Sequence, residues 1–291
     1  MRIGIGLPAA VPGVDATTIA TWAAHAEGAG FASVGVIDRL VYDNLEPLTA
    51  LAAAAASTER VELITTVLNV GWRANPVLLA KQLASVELLS GGRLTAGLGL
   101  GGWPDDFIAS GVPTSGGGAR LDAALATMRQ AWAGQLSGQG GPMRPLPAGR
   151  PALVFGGLVP AAYRRAAMDG QGWVAPLLGF QLLEAGAAAV RQLWTDARRA
   201  GEPRIVTGRY FSLGPGADSV ADEYLRHYYG ADFFAAARAD TLTQPGQVRE
   251  GIERLDGAGV TDLVLFPSSA EPDQIDRLVD AMAVARTTPA S

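Results

Sequence analysis

The sequence predicts an α/β fold, specifically a (β/α)8 TIM barrel with loop insertions, as one domain over residues 1–291. Three observations lead there. Short apolar runs alternate with helix-periodic segments along the whole chain, and eight such runs can be counted. Strands joined by helices run parallel, and eight parallel strands leave no exposed edge when the sheet closes on itself, whereas a doubly wound sheet leaves two. The length of 291 residues suits one barrel of typically about 250 residues plus insertions.

The elements follow in order. Arg2–Leu7 (RIGIGL) is a first buried strand stopped at Pro8, and Thr17–Ala29 is a helix with Ile19, Trp22, Ala23 and Ala26 on one face, closed by glycine. Ala32–Ile37 is the second strand, followed at once by Asp38 and Arg39, and Pro47–Ser57 is an alanine-rich helix. Val61–Leu68 (VELITTVL) is β-branched and forms the third strand. Pro76 begins the next helix, where its missing N–H does no harm.

Leu94–Leu100 (LTAGLGL) is the fourth strand and the centre of the reading. Its alternating glycines suit a strand approached closely by another backbone or by a ligand, and Gly101-Gly102-Trp103-Pro104-Asp105-Asp106 leaves its carboxyl end. The second half repeats the alternation: helix 120–132, a Gly- and Pro-rich excursion over 134–150, strand 151–155 ending in Gly156-Gly157, helix 161–168, strand 173–175, helix 182–200 and strand 204–213. An aromatic-rich helical insertion over 218–238, helix 245–257, strand 263–266 and helix 273–286 complete it.

Composition narrows the function. A net charge of −5, a single lysine (Lys81) and scattered arginines give no clustered cations for a phosphate backbone, so no nucleic-acid partner is expected. With no cysteine and only His25 and His227, neither a metal site nor a thiol- or histidine-based triad is expected. No apolar run reaches about 18 residues and no secretory leader is evident, so the chain is expected to be soluble and cytoplasmic, without a membrane partner.

In a barrel the residues just after each strand converge on one mouth. Here that rim holds Asp38 as its only carboxylate immediately after a strand, and no lysine placed for a Schiff base. The mouth is therefore expected to cradle a large flat ligand that brings its own reactivity. Gly99, Gly101 and Gly102 serve such a ligand or simply a tight turn; the residues alone leave both open.

The segments GVIDR at 35–39, LITTVLNVGWRANPVLLAKQLASVELLSGGRLTAGLGLGGWPDDF at 63–107, LVFGG at 153–157 and AGVTDLVLF at 258–266 together resemble the bacterial luciferase-like family of flavin- and F420-dependent oxidoreductases, its F420-dependent branch most of all. The resemblance implies a β/α barrel with a deazaflavin (F420) or FMN in the mouth, and hydride exchange between F420 and a small organic substrate. An FMN-dependent monooxygenase supplied by a separate flavin reductase is the alternative, and a catalytically silent barrel that only binds is a third reading. It also implies a homodimer.

Carried over by position, Asp38 matches the family's acidic residue near the cofactor ring, and the His that usually follows is Arg39. Thr66 and Val67 match the bulged third-strand position, often with a non-proline cis peptide, that supports one ring face, with Asn69 at the rim. Gly99, Gly101 and Gly102 match the glycines beside the cofactor tail, and Gly156 and Gly157 the pair that holds its phosphate. Asp38 is the candidate catalytic residue. The chain departs from the family at Gly117-Gly118, Asp122-Ala123, Gln171 and Gly102, the last leaving the usual acidic proton donor without a counterpart.

Overall fold

The structure is a computed structural model that describes residues 1–15, 17–145, 151–177 and 179–283. Eight parallel strands close into a ring: β1 (Arg2–Gly6), β2 (Ser33–Val36), β3 (Glu62–Thr65, resuming at Leu68–Asn69), β4 (Leu94–Gly99), β5 (Ala152–Gly156), β6 (Gly172–Val174), β7 (Arg204–Phe211) and β8 (Asp262–Pro267). Each pairs with the next, and β8 pairs back to β1 in the register Gly4↔Val264. The expected barrel is therefore the observed one.

Helices α1 (Thr18–Gly28), α2 (Pro47–Ser57), α3 (Pro76–Leu89), α4 (Pro104–Ser110), α5 (Gly117–Trp132), α6 (Pro160–Met168), α7 (Phe180–Asp196), α8 (Ala217–Ala239), α9 (Pro245–Gly257) and α10 (Asp273–Ala283) surround the ring. Proline at the first turn fixes the start of α2, α3, α4, α6 and α9. Among the described residues no helix is long and apolar enough to cross a membrane.

Three local departures from the sequence reading bear on function. The turn after β4 is itself helical, as α4, because Trp103 and Pro104 set its entry. The excursion at 134–150 contains a short hairpin, Ser137–Gly138 against Gly141–Pro142, while 146–150 lie outside the described residues, as does the end of the helix read as 273–286. The aromatic insertion is α8, and Gly230 breaks it with φ 67° and ψ −173°, a conformation open essentially to glycine alone.

Side chains alternate across every strand, so one set fills the barrel and the other meets the helices. The interior is layered. Arg204, Glu62, Asp262 and Thr95 close the bottom, with Arg204 Nη1 2.9 Å from Glu62 Oε1 and Nη2 2.7 Å from Asp262 Oδ1. Ile64, Val154, Val206 and Val264 make an apolar middle, topped by Tyr210 and Phe266.

β3 carries one residue more than its neighbour. Ile64 pairs with Thr95, yet Leu68 pairs with Leu98, so three residues of β3 oppose two of β4. This is a β-bulge, a device that re-aims side chains at a barrel rim. The Thr66–Val67 peptide within it is cis. At the bulge, a methyl on Gly97 would stand 2.0 Å from the Thr65 carbonyl oxygen, which explains a glycine in the middle of β4.

Candidate active site

Five of the residues singled out in the sequence meet in one cavity of about 160 Å³ at the carboxyl end of the strands: Asp38, Thr66, Val67, Asn69 and Gly102. Asp38 leaves β2, Thr66 and Val67 are the bulge, Asn69 ends the resumed β3, and Gly102 follows β4. Gly99 and Gly156 stand on either side of Val67, and Gly101 backs Asn69. A methyl on Gly99 would come within 2.6 Å of Val67 Cγ2, on Gly156 within 2.9 Å of Val67 Cγ1, and on Gly101 within 3.0 Å of Asn69 Cβ. Gly101 also has φ 83°.

Gly157 is not brought into the cavity. It lies just ahead of α6 with φ 130°, and its carbonyl accepts the Trp173 indole N–H at 2.9 Å. Trp173 is buried, so packing is its role.

The floor is held by Asp38. Its Oδ2 accepts the Asn69 backbone N–H at 2.7 Å and Arg73 Nη2 at 3.1 Å, while the Asn69 side-chain amide donates to the Asp38 carbonyl at 2.8 Å. Its Oδ1 is buried and has no hydrogen-bond partner among the described residues. Burial pushes the Asp38 carboxyl above its ordinary pKa, against the opposing pull of Arg73 and the Asn69 N–H. An orphaned oxygen on a buried carboxyl beside a cavity is the arrangement of a group awaiting a ligand or ready to carry a proton.

The partner of Asp38 is Arg73, not its neighbour Arg39. Arg39 instead reaches Asp106, with Nε 3.5 Å from Oδ2, and its guanidinium lies 3.9 Å from the centre of the Trp103 ring. Asp106 in turn accepts the Val41 N–H at 2.8 Å, tying the loop after β2 to α4. Arg165 is likewise engaged, by Asp122 at 2.6 Å and by the Gly118 carbonyl, rather than free for an anion.

The roof is what sequence reasoning did not place. Trp103, Tyr210, Tyr228 and Tyr229 face the floor across the cavity. Tyr228 and Tyr229 come from α8 and meet edge to face at 4.9 Å, and Trp103 packs against both. The Tyr210 and Tyr229 hydroxyls are 3.0 Å apart, and Tyr42 Oη bonds His227 Nδ1 at 2.8 Å, joining α8 to the loop after β2. The run YLRHYYG was the only signal in the sequence.

The glycines make a contrast that can be measured. Gly156→Ala pushes a methyl into Val67 and is expected to lower stability by about 1–3 kcal/mol, the usual range for overpacking. Gly102→Ala meets nothing within 4 Å and is expected to stay within about 0.5 kcal/mol of the parent. Urea unfolding of the two variants checks this, and equal losses would remove the close-approach explanation for Gly156.

A closed barrel whose strand ends converge on a buried carboxyl and a bulged strand defines a TIM-barrel protein with its site at the carboxyl face. The chain belongs to the luciferase-like monooxygenase family, whose sequence profile matches residues 1–287. Among solved structures it is similar to the monooxygenase RslO1 from Streptomyces bottropensis, at TM-score 0.82 and 23% identity over 98% of this chain and 99% of that one. It is also similar to an F420-dependent secondary alcohol dehydrogenase in complex with an F420–acetone adduct, at TM-score 0.76 and 19% identity over 98% and 99%. At those identities the likeness speaks for the fold.

In sequence it is 38% identical over 124 residues to an F420-dependent glucose-6-phosphate dehydrogenase of Beutenbergia cavernae, covering 38% of this chain and 35% of that one. The chain spans 60% to 65% of the length of the mycobacterial relatives it matches.

Proposed function

We propose that the protein is an F420-dependent oxidoreductase that passes a hydride between the deazaflavin and a small organic substrate. The observation that carries this is the buried Asp38 carboxyl, whose Oδ1 has no hydrogen-bond partner among the described residues, at the edge of a cavity floored by the Thr66–Val67 bulge and Asn69. The residues present fit a flat ring. The floor is backbone and short side chains, glycine clears both sides of Val67 and the back of Asn69, and Asp38 supplies the free acceptor or donor.

Thr66, Val67 and Asn69 would support one face of the ring, Asp38 would sit at its edge, Gly99, Gly101 and Gly102 would flank its tail, and Gly156 and Gly157 would hold its phosphate. Bound there, the cofactor supplies the hydride. Asp38 holds a proton to a higher pH than an ordinary carboxyl, because burial disfavours its anion. The Asn69 N–H and Arg73 fix the other oxygen, so the carboxyl cannot turn away.

The similarity to a monooxygenase supports a second reading, an FMN-dependent oxygenase partnered by a flavin reductase. Equilibrium titration separates the two. F420 is expected to bind with a Kd in the range of about 1–10 µM, and FMN at least about tenfold more weakly. The reverse order favours the oxygenase. Failure of both at about 50 µM overturns the redox reading and leaves a barrel that binds something else. A homodimer accompanies the proposal, and α3 offers Val77, Leu78, Leu88 and Leu89 as exposed apolar surface for it.

A further inference from the structure

Each guanidinium near the cavity has an acidic partner, and this bears on what the site accepts. Two guanidinium groups lie near it. Arg73 is paired with Asp38 at 3.1 Å and Glu46 at 3.4 Å. Arg39 is paired with Asp106 and covered by the Trp103 ring. No Lys, Arg or His is among the described residues that line the cavity. A phosphate or carboxylate placed there would lose its water, find no cation in the lining and sit beside the Asp38 carboxyl, which is unfavourable on every count.

What faces the floor instead is a surface of rings. Trp103, Tyr228 and Tyr229 pack against one another at centroid separations of 4.9 to 5.9 Å and form a continuous aromatic wall, a surface against which a further ring can lie in offset or edge-to-face contact. A polar handle on that surface is the Tyr210–Tyr229 hydroxyl pair, 3.0 Å apart. One proton lies between the two oxygens and the second hydroxyl proton remains to be donated. Burial pushes the Tyr229 phenol up to about 12, so at neutral pH it is a neutral donor and not an anion.

We infer that the substrate of this site is an uncharged, flat aromatic molecule carrying a carbonyl or hydroxyl oxygen, packed against Trp103, Tyr228 and Tyr229 with its oxygen on the Tyr210–Tyr229 pair, and that phosphorylated sugars and carboxylates are turned away. The inference rests on the redox reading in that it calls the ligand a substrate; the selectivity itself is a property of the cavity.

Three probes of graded charge test it: acetophenone, benzoate, which has a similar outline with a carboxylate in place of the acetyl group, and glucose 6-phosphate. Ligand-observed NMR titrations on the folded protein, alone and after loading with whichever cofactor binds, give the affinities. Acetophenone is expected to saturate below about 1 mM, in the range open to a ligand of this size, with benzoate at least about tenfold weaker and no saturable binding of glucose 6-phosphate. Tyr229→Phe, which removes one oxygen and keeps the ring, is expected to weaken acetophenone by about 3–10-fold, and Trp103→Ala by more, with both variants showing native circular dichroism.

Benzoate or glucose 6-phosphate binding as tightly as acetophenone overturns the inference. So does the absence of saturable acetophenone binding, or a Tyr229→Phe variant indistinguishable from the parent. The two proposals fail separately. A protein that binds F420 but not acetophenone loses the substrate class and keeps the redox reading, whereas one that binds acetophenone but neither F420 nor FMN loses the redox reading and keeps the selectivity.

Discussion

Arg204→Met is expected to lower the stability of the protein by about 3–5 kcal/mol, the range for removing one partner of a buried charge pair. Arg204 bridges Glu62 and Asp262 across the bottom of the barrel, and the side chains of the two acids are 14% and 6% exposed. Without the guanidinium they face each other at the closed end of the core, with only Arg2 at its edge to compensate. For a chain of this size the change corresponds to a fall in Tm of roughly 6–15 °C, read by calorimetry. Cofactor affinity at 25 °C should be unchanged, because the bottom layer is separated from the cavity by Ile64, Val154, Val206 and Val264. A loss below 1 kcal/mol would mean that the network is solvated and contributes little.

Asp38→Ala is expected to cost about 3 kcal/mol and also to abolish the function of the cavity. It strips the acceptor from the Asn69 N–H and from Arg73, whose side chain is 11% exposed and keeps only the more distant Glu46. Asp38→Asn separates the two roles, since it preserves the shape and loses the ionisable group. Turnover of any substrate found should fall by about 10²–10⁴ in Asp38→Asn, the span typical of a lost general acid.

The pH dependence of stability carries the same information without a substrate. Because burial raises the folded-state pKa of Asp38, the folded protein keeps a proton that the unfolded chain has already released. The stabilisation linked to that proton is complete at low pH and declines as the pH climbs from the ordinary carboxylate range through the folded value. Denaturant midpoints measured across that interval should show this decline in the parent and not in Asp38→Asn. Identical profiles would assign the slope to other carboxyls.

Much of this was readable in the sequence because it is written in local pattern. Eight apolar runs, the prolines opening α2 and α3, and the glycines ending β4 and β5 each act on their own segment, so the barrel and the position of its mouth followed. Asp38, Thr66, Val67 and Asn69 converge because strand ends in a barrel must. What the sequence did not disclose depends on pairs far apart along the chain. That Asp38 takes Arg73 while adjacent Arg39 takes Asp106 is decided by the direction each side chain leaves the backbone. The roof was less legible still: Tyr228 and Tyr229 show only as an aromatic-rich helix, and nothing in that periodicity says which cavity the helix covers. Gly157 is adjacent in sequence to Gly156, yet its carbonyl is turned toward Trp173, an orientation that no local pattern announces.

The extra residue in β3 has an evolutionary consequence. Beyond the bulge, Leu68 and Asn69 occupy rungs opposite Leu98 and Gly99, and the strand is one unit too long for its neighbour. A codon lost between 65 and 67 would let the two strands run flush with Leu68 still opposite Leu98, and what would vanish is the irregular backbone that brings the consecutive residues Thr66 and Val67 to the same cavity. Substitution can therefore drift freely through much of this segment, whereas its reading length is locked.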